Sequence, residues 1–424
     1  AKCCYTLYIN TPHYFEFTNP VIIYSKLLGI GKLRSDYQSI YNYLNLEQKL
    51  IVILCKIKPS PEDLDFLSSS LKKSINWEYI YHFSQNNSIS SLVYSNILKY
   101  AEENVSDDVL QYFREFSIKN TKKNLFLVTV LGKLVHDLND LGILAVPYKG
   151  PALSYLIYND ITIREFTDLD IFVYKKDINQ VNEYLLGNSY NPQFNMQGHS
   201  EHYYLNSRYY YMNFVRKDGN VAIDLHWASA DRNYSFSRPL EYYYEKLQSL
   251  EFLNHSYKVH GTEDLFLLLC IHGAKHNWSM FNWTTDLANL VAVKPDIDYE
   301  YIMEESDDIG CKSMTAFSLG SLKNLFNLDI PEIKIGLKAN KRIEDKRLSL
   351  VSYIFRHQIN NHKSVSIIPE LFDSYADKAY YYLNKYIYPT PIELSMVNLS
   401  KRWFFLYFLI RIIRIVYRGI VRII

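Results

Sequence analysis

A chain of 424 residues is long enough for two or three domains, or for one core with helical extensions. Hydrophobic residues at 48% and charged residues at 21% are ordinary for a folded soluble protein. The formal net charge of +1 excludes a strongly basic protein and argues against broad, non-specific nucleic-acid binding, although a local basic patch stays open.

Residues 1–37 mix aromatics with Pro12, Pro20, Gly29 and Gly31 and are left unassigned. Residues 38–142 read as a helical segment. Ser60-Pro61-Glu62-Asp63 predicts a helix start, with a capping serine, proline in the first turn and acids that complement the dipole. Further helices are expected over 77–85, 89–101 and 107–141, the last stopped by Gly142. Leu125, Val128, Leu131, Leu134 and Val135 recur at helical spacing along it.

The period changes at residue 143, and residues 143–260 read as a compact α/β unit. Strands are expected over 143–148 and 169–174, each followed by a helix, over 151–158 and 177–186, with Gly187 closing the second. Two later strands, 203–215 and 221–227, are joined through Asp218-Gly219, a good hairpin turn. Residues 261–424 read as a C-terminal helical segment, broken at Gly310 and Pro331. The fold class expected is therefore α+β: a small mixed-sheet core flanked by helical segments at both chain ends. No internal repeat or low-complexity tract interrupts this plan.

Cys3, Cys4, Cys55, Cys270 and Cys311 form no C-x-x-C pair, which fits a reducing compartment and gives neither a disulfide framework nor a zinc ribbon. The opening residues AKCCYTLYIN lack a basic region followed by an apolar run, so no signal peptide is expected and the cytoplasm is the expected location. Many of the aromatics are tyrosines, 39 of them, which reflect either codon bias or a binding surface.

The informative stretch is Lys149-Gly150-Pro151 followed by Arg164-Glu165-Phe166-Thr167-Asp168-Leu169-Asp170-Ile171-Phe172-Val173. Residues i and i+2 of a strand face one side, so Asp168 and Asp170 point the same way. Two neighbouring carboxylates repel each other, and a divalent cation removes that cost; Mg²⁺ prefers such oxygen ligands. Asp224, inside the apolar run Val221-Ala222-Ile223-Asp224-Leu225-His226-Trp227, is placed to complete a site on a neighbouring strand. Taken alone, an Asp-x-Asp is more often structural, with Asp168 capping a turn and Asp170 pairing with Arg164 or Lys175. The strand-to-helix turn at Gly150 shifts that balance, because a glycine there lets backbone approach a phosphate and a helix N-terminus favours anions.

These motifs, in this order, resemble the uncharacterised bacterial nucleotidyltransferases of the DNA polymerase β superfamily. The stretch from Glu263-Asp264-Leu265 through His272-Gly273-Ala274-Lys275-His276 to Trp283 and Asp286 is also similar, as is Ser74-Ile75-Asn76-Trp77. The resemblance covers roughly residues 45–415 and is strongest over 145–290. Pro151 departs from it, since a small residue is more usual there. The resemblance implies a transfer of a nucleoside monophosphate from a nucleoside triphosphate to an acceptor hydroxyl. Two Mg²⁺ ions, with Mn²⁺ as the alternative, would be held by Asp168, Asp170 and Asp224, and Asp224 would help deprotonate the acceptor. Gly150 and nearby amides would cradle phosphates, with Lys149 or Arg164 offsetting their charge. Lys149 has an equally weighted structural reading, at a helix or strand end.

Around this centre, His226 either contacts substrate or a metal-bound carboxylate, or bonds a backbone carbonyl, and the second reading is preferred. His272 and His276 share one helix face, but the glutamate of an H-E-x-x-H site is missing, so zinc is not expected. With Lys275 and Trp278 they are expected to pack a helix on the α/β unit and line the nucleotide pocket, while Asp286 caps the next helix or pairs with one of them. Tyr203, Tyr204, Tyr209, Tyr210 and Tyr211, beside Arg208 and Arg216, are read as a hairpin surface in preference to a base-stacking platform.

Residues 403–424 are apolar but carry Arg411, Arg414, Arg418 and Arg422 in one narrow helical stripe. That frequency of arginine argues against a transmembrane span. Two arrangements stay open: a helix on an anionic membrane, giving peripheral contact, and a helix packing its apolar side on the protein's own core. The expected partner is a nucleoside triphosphate. The acceptor is left open among small molecule, peptide, glycan, protein and RNA. The rival to the enzyme is a catalytically inactive accessory protein that binds a nucleotide or a partner.

Overall fold

The computed structural model describes residues 40–194, 198, 204–205, 209–231, 233–331, 355 and 367–421. The readings of residues 1–37, Tyr203, Arg208 and Arg422 lie outside these. The described chain is α+β, with helices on both sides of a mixed sheet.

Helices α1 (Leu46–Leu54) and α2 (Pro61–Ser70) both start at reciprocal capping boxes, Asn45 with Gln48 and Ser60 with Asp63. Next come α3 (Trp77–Asn86), α4 (Ser90–Tyr100) and the 34-residue α5 (Asp107–Asp140). Val128, Leu131, Leu134 and Val135 form the buried stripe of α5, whereas Leu125 is exposed. Leu125 lies roughly 110° round the helix from the centre of that stripe, so its spacing matched without its direction. Two buried amides of α5 fix the loop that leads into the site: Asn120 donates to the Thr162 carbonyl at 3.0 Å, and Asn124 donates to those of Ile161 and Arg164 at 2.7 and 2.8 Å.

The five-stranded sheet has the order β1-β2-β5-β4-β3. Its strands are β1 (Val146–Pro147), β2 (Asp168–Phe172), β3 (Tyr190–Pro192), β4 (Tyr211–Arg216) and β5 (Ala222–His226). β2 and β5 pair parallel, and the other neighbours pair antiparallel. Helix α6 (Gly150–Tyr158) leaves β1 and helix α7 (Ile178–Gly187) follows β2. Gly219, at φ +75°, turns β4 into β5 as the Asp-Gly signal predicts. The strand expected from residue 203 begins only at Tyr211, and Tyr204 and Leu205 are helical. A run of aromatic residues fits either state, and the pairing of Tyr211 with His226 decides where the ladder starts.

A separate hairpin, β6 (Gln248–Phe252) and β7 (His255–Val259), was not anticipated. Its turn residues Leu253 and Asn254 both have positive φ without a glycine, so the usual sequence signal is missing.

The two faces of the central sheet differ in chemistry. Leu169, Ile171, Met212, Phe214, Ile223 and Leu225 point to one side and join a core cluster with the stripe of α5. The other side carries Asp168, Asp170 and Phe172 on β2, Asp224 and His226 on β5, and Tyr211 and Asn213 on β4. Helices α8 (Leu240–Tyr243), α9 (Thr262–Lys275), α10 (Phe281–Val293), α11 (Tyr299–Ile309) and α12 (Lys312–Phe326) follow, and α11 ends at Gly310 with φ +83°. The last helices are α13 (Tyr375–Ile387), α14 (Pro391–Met396) and α15 (Leu406–Val421). Among the described residues, no helix is long and apolar enough to cross a membrane.

Candidate active site

Parallel pairing of β2 and β5 sets Asp170 level with Asp224 and Asp168 level with Ala222. Register partners on adjacent strands share a face, so all three aspartates lie on the polar side of the sheet. Donor atoms of Asp170, Asp224 and His226 all lie within 4.8 Å of one another. Asp168 stands outside that group of three, two residues before Asp170 on the same face. The structure therefore adds His226 to the three acids expected from the sequence.

The carboxyls are electrostatically unequal. Burial would raise Asp170, but the Lys149 ammonium and the His226 hydrogen bond override it and hold the group well below the carboxylate range. Lys149 Nζ is 2.8 Å and His226 Nε2 3.1 Å from Asp170 Oδ1. Burial, then the Asp168 and Asp170 charges, push Asp224 up to about 7, against a hydrogen bond donated by Asn213 Nδ2. Asp168 is also raised, by burial and by Asp170. Burial lowers His226 to about 4, so its ring is neutral at pH 7, the form that ligates metals. With Asp170 ionised and accepting from Nε2, Nδ1 is left as the lone-pair nitrogen. The backbone-carbonyl bond preferred for His226 is thus replaced by a carboxylate contact, because the strand pairing puts an acid within reach.

Gly150 opens α6 at φ +53°, and a Cβ there would sit 3.3 Å from the Asp168 carbonyl oxygen. The turn needs the left-handed region and close approach to β2, and glycine meets both needs. Lys149 is the residue just before α6, with its ammonium on Asp170.

Arg164 and Asp286 are paired with each other. Arg164 Nη2 lies 3.0 Å from Asp286 Oδ2, Arg164 Nε donates to both carboxylate oxygens, and both side chains are buried. Asp286 is inside α10 and pairs with Arg164, so it does not cap that helix, and among the described residues it pairs with no histidine, contrary to expectation. Its carboxylate neutralises the guanidinium that the sequence offered to a triphosphate.

At the end of α9, His272 and the capping residue His276 lie 4.8 Å apart, ring centre to ring centre, and both contact the Trp283 ring at 5.2 and 5.3 Å. Burial lowers both, His276 to about 3. Lys275 Nζ donates to the Tyr210 hydroxyl at 3.1 Å and sits 4.5 Å from that ring's centre. Burial, then the Lys149 charge, bring Lys275 down to about 7. The Tyr210 and Tyr211 rings lie 5.7 and 5.8 Å from His226, and Tyr204 stacks on Tyr209 at 4.3 Å. Of these described tyrosines, Tyr204 is buried and Tyr209, Tyr210 and Tyr211 are half-buried. Asn213 went unremarked as a site residue, since only pairing with β5 brings it beside Asp224.

A family model described as an uncharacterised nucleotidyltransferase matches residues 73–327, more than half of the chain. The chain belongs to this uncharacterised nucleotidyltransferase family. No curated protein matches it. The matched span runs from just before α3 to the end of α12 and includes every candidate residue from Lys149 to Asp286. Two oxygen donors and one imidazole converge, and two of the site's carboxyls are disfavoured as anions by burial and mutual repulsion. A divalent cation would relieve that repulsion, so the residues present fit a site for one.

Proposed function

We propose that this protein transfers a nucleoside monophosphate from a nucleoside triphosphate to an acceptor hydroxyl, with Asp168, Asp170 and Asp224 holding two Mg²⁺ ions. The observation that supports this most is the β2–β5 register, which gathers three carboxylates on one face within a family of nucleotidyltransferases. When bound, the ions supply charge neutralisation to the triphosphate and to the attacking and leaving oxygens. Gly150 gives backbone room for a phosphate, and Lys149 carries the charge that pairs with it at the start of α6. Asp224 Oδ, level with Asp170 on the neighbouring strand, takes the acceptor's proton. His226, His272, Lys275 and His276 line the nucleotide side, and Lys275 is poised to change protonation beside Tyr210. The Arg164–Asp286 pair positions the loop before β2.

A second reading, binding without turnover, draws on one contact: Lys149 already neutralises Asp170 at 2.8 Å. Calorimetric titration of each nucleoside triphosphate, with Mg²⁺ and with chelator, tests the site, and release of pyrophosphate from the bound triphosphate separates the two. Wild type is expected to bind in the presence of Mg²⁺, and Asp168→Asn/Asp170→Asn is expected to lose that binding while staying folded. Asp224→Asn is expected to keep measurable affinity and lose transfer. No binding of any nucleotide by folded wild type would remove the enzyme reading.

A further inference from the structure

Helix α15 sits the other way round from an ordinary surface helix. Two of its arginines, Arg411 and Arg414, face the protein. Arg411 is buried, donates to the Lys385 carbonyl at 3.0 Å and lies 3.5 Å from Glu393. Arg414 pairs with the same carboxylate, and Glu393 is fully buried in α14. Tyr407, on the same inward side, is fully buried. Two charged side chains on one buried acid fix the helix about its axis, since turning it would leave Glu393 unpaired.

The apolar side therefore points outward. Leu409, Ile412, Ile413, Val416 and Tyr417 are between 46% and 67% exposed, and Phe405 just before the helix is 56% exposed. Their spacing of i, i+3, i+4, i+7, i+8 makes one continuous stripe. Such a contiguous apolar face marks an interaction site.

Charge indicates what covers it. From Leu394 to Ile424 the sequence has six Lys or Arg and no Asp or Glu, and only Arg411 and Arg414 of the six are taken up by Glu393 among the described residues. Lys401 and Arg402 are exposed before the stripe and Arg418 at its far end. Trp403, 48% exposed, and Tyr417 sit near those two ends, where amphipathic rings favour a membrane–water boundary. We propose that residues 401–421 dock on an anionic lipid bilayer, with α15 lying in the interface plane, its apolar stripe among the acyl chains and the flanking basic side chains on lipid phosphates. This site is independent of the nucleotide reading.

Co-sedimentation of the full chain tests it, using vesicles of phosphatidylcholine alone and of phosphatidylcholine mixed with phosphatidylglycerol. Binding is expected to the mixed vesicles, to weaken with salt, and to be slight on the neutral ones. Ile413→Glu/Val416→Glu should weaken it by about tenfold or more without lowering the thermal midpoint, because both sites are exposed. Lys401→Glu/Arg402→Glu should weaken it on mixed vesicles only. Failure of wild type to sediment with either vesicle, or equal binding by the Ile413→Glu/Val416→Glu variant, would overturn the proposal. So would self-association in solution that this variant abolishes, which would make a second copy the occupant.

Discussion

Glu165 adjoins Arg164 in sequence, but its carboxylate serves the N-terminal helices: Oε1 accepts the Ser91 amide at 3.0 Å. Burial raises it from the ordinary 4.5 to about 7, despite that bond and the nearby Lys123 charge. A raised pKa means that the folded state binds more protons. Stability from this group is thus complete below pH 4.5 and is lost as pH rises through 7. The loss is on the order of 2–3 kcal/mol. Glu165→Gln keeps an acceptor and removes the titration. Chemical denaturation should find the variant more stable than wild type at pH 8 and close to it at pH 5. A difference of equal size at both pH values would show that Glu165 does not titrate in that window. The same physics, with opposite neighbours, separates Asp170 from Asp224. Lys149 and His226 stabilise one anion, while two like charges oppose the other.

At the scale of elements, the site depends on how the loop before β2 is held. Asn120 and Asn124 bind it from α5, and Arg164 clamps it to α10 through Asp286. Breaking a buried ion pair on one side leaves an uncompensated charge and costs about 3–5 kcal/mol, whereas an apolar pair of similar volume is often tolerated. Arg164→Ala should therefore lower stability by about that amount in denaturant titrations, and Arg164→Met/Asp286→Leu should recover much of it. If Arg164→Ala instead left stability intact and removed nucleotide affinity, the guanidinium would be a ligand group. Local cues for these elements were readable: capping at Ser60, the turn at Asp218-Gly219 and the Asp168–Asp170 alternation all appear where the residues predict. The hairpin turned by Leu253 and Asn254 was not, because Leu253 takes a positive φ that its side chain does not favour.

Over the whole molecule, the sheet separates two chemistries. Its apolar face closes one core against α5, while residues from all three segments of the chain, among them Ile51, Phe172 and Phe317, share the other. The polar row of β2, β5 and β4 lies on the side from which α9 brings Lys275 to Tyr210. Ligand binding at such a junction should stabilise the fold by mass action, about 2.7 kcal/mol at a ligand concentration of 100 Kd. A thermal melt with Mg²⁺ and the bound triphosphate should show a midpoint raised by several degrees, an increase that chelator or Asp168→Asn/Asp170→Asn removes. An equal rise in the double variant would place the nucleotide elsewhere.

The sequence by itself determined the fold class, the alternation that puts Asp168 and Asp170 on one face, the glycine turn before α6 and the family likeness. Each is a local property, set by side-chain period, backbone permissiveness or motif order within a short span. Only the tertiary structure decided which charges meet. Lys149 and His226 converge on Asp170, Asn213 on Asp224, and Arg164 on Asp286, across separations of up to 122 residues. It also decided the direction of α15. A helix with two usable faces turns by the partner it finds, and one buried acid, Glu393, drew Arg411 and Arg414 inward and left the apolar side exposed. Pairing energies between distant residues set these outcomes, and they follow from strand register and helix packing, which no local pattern encodes.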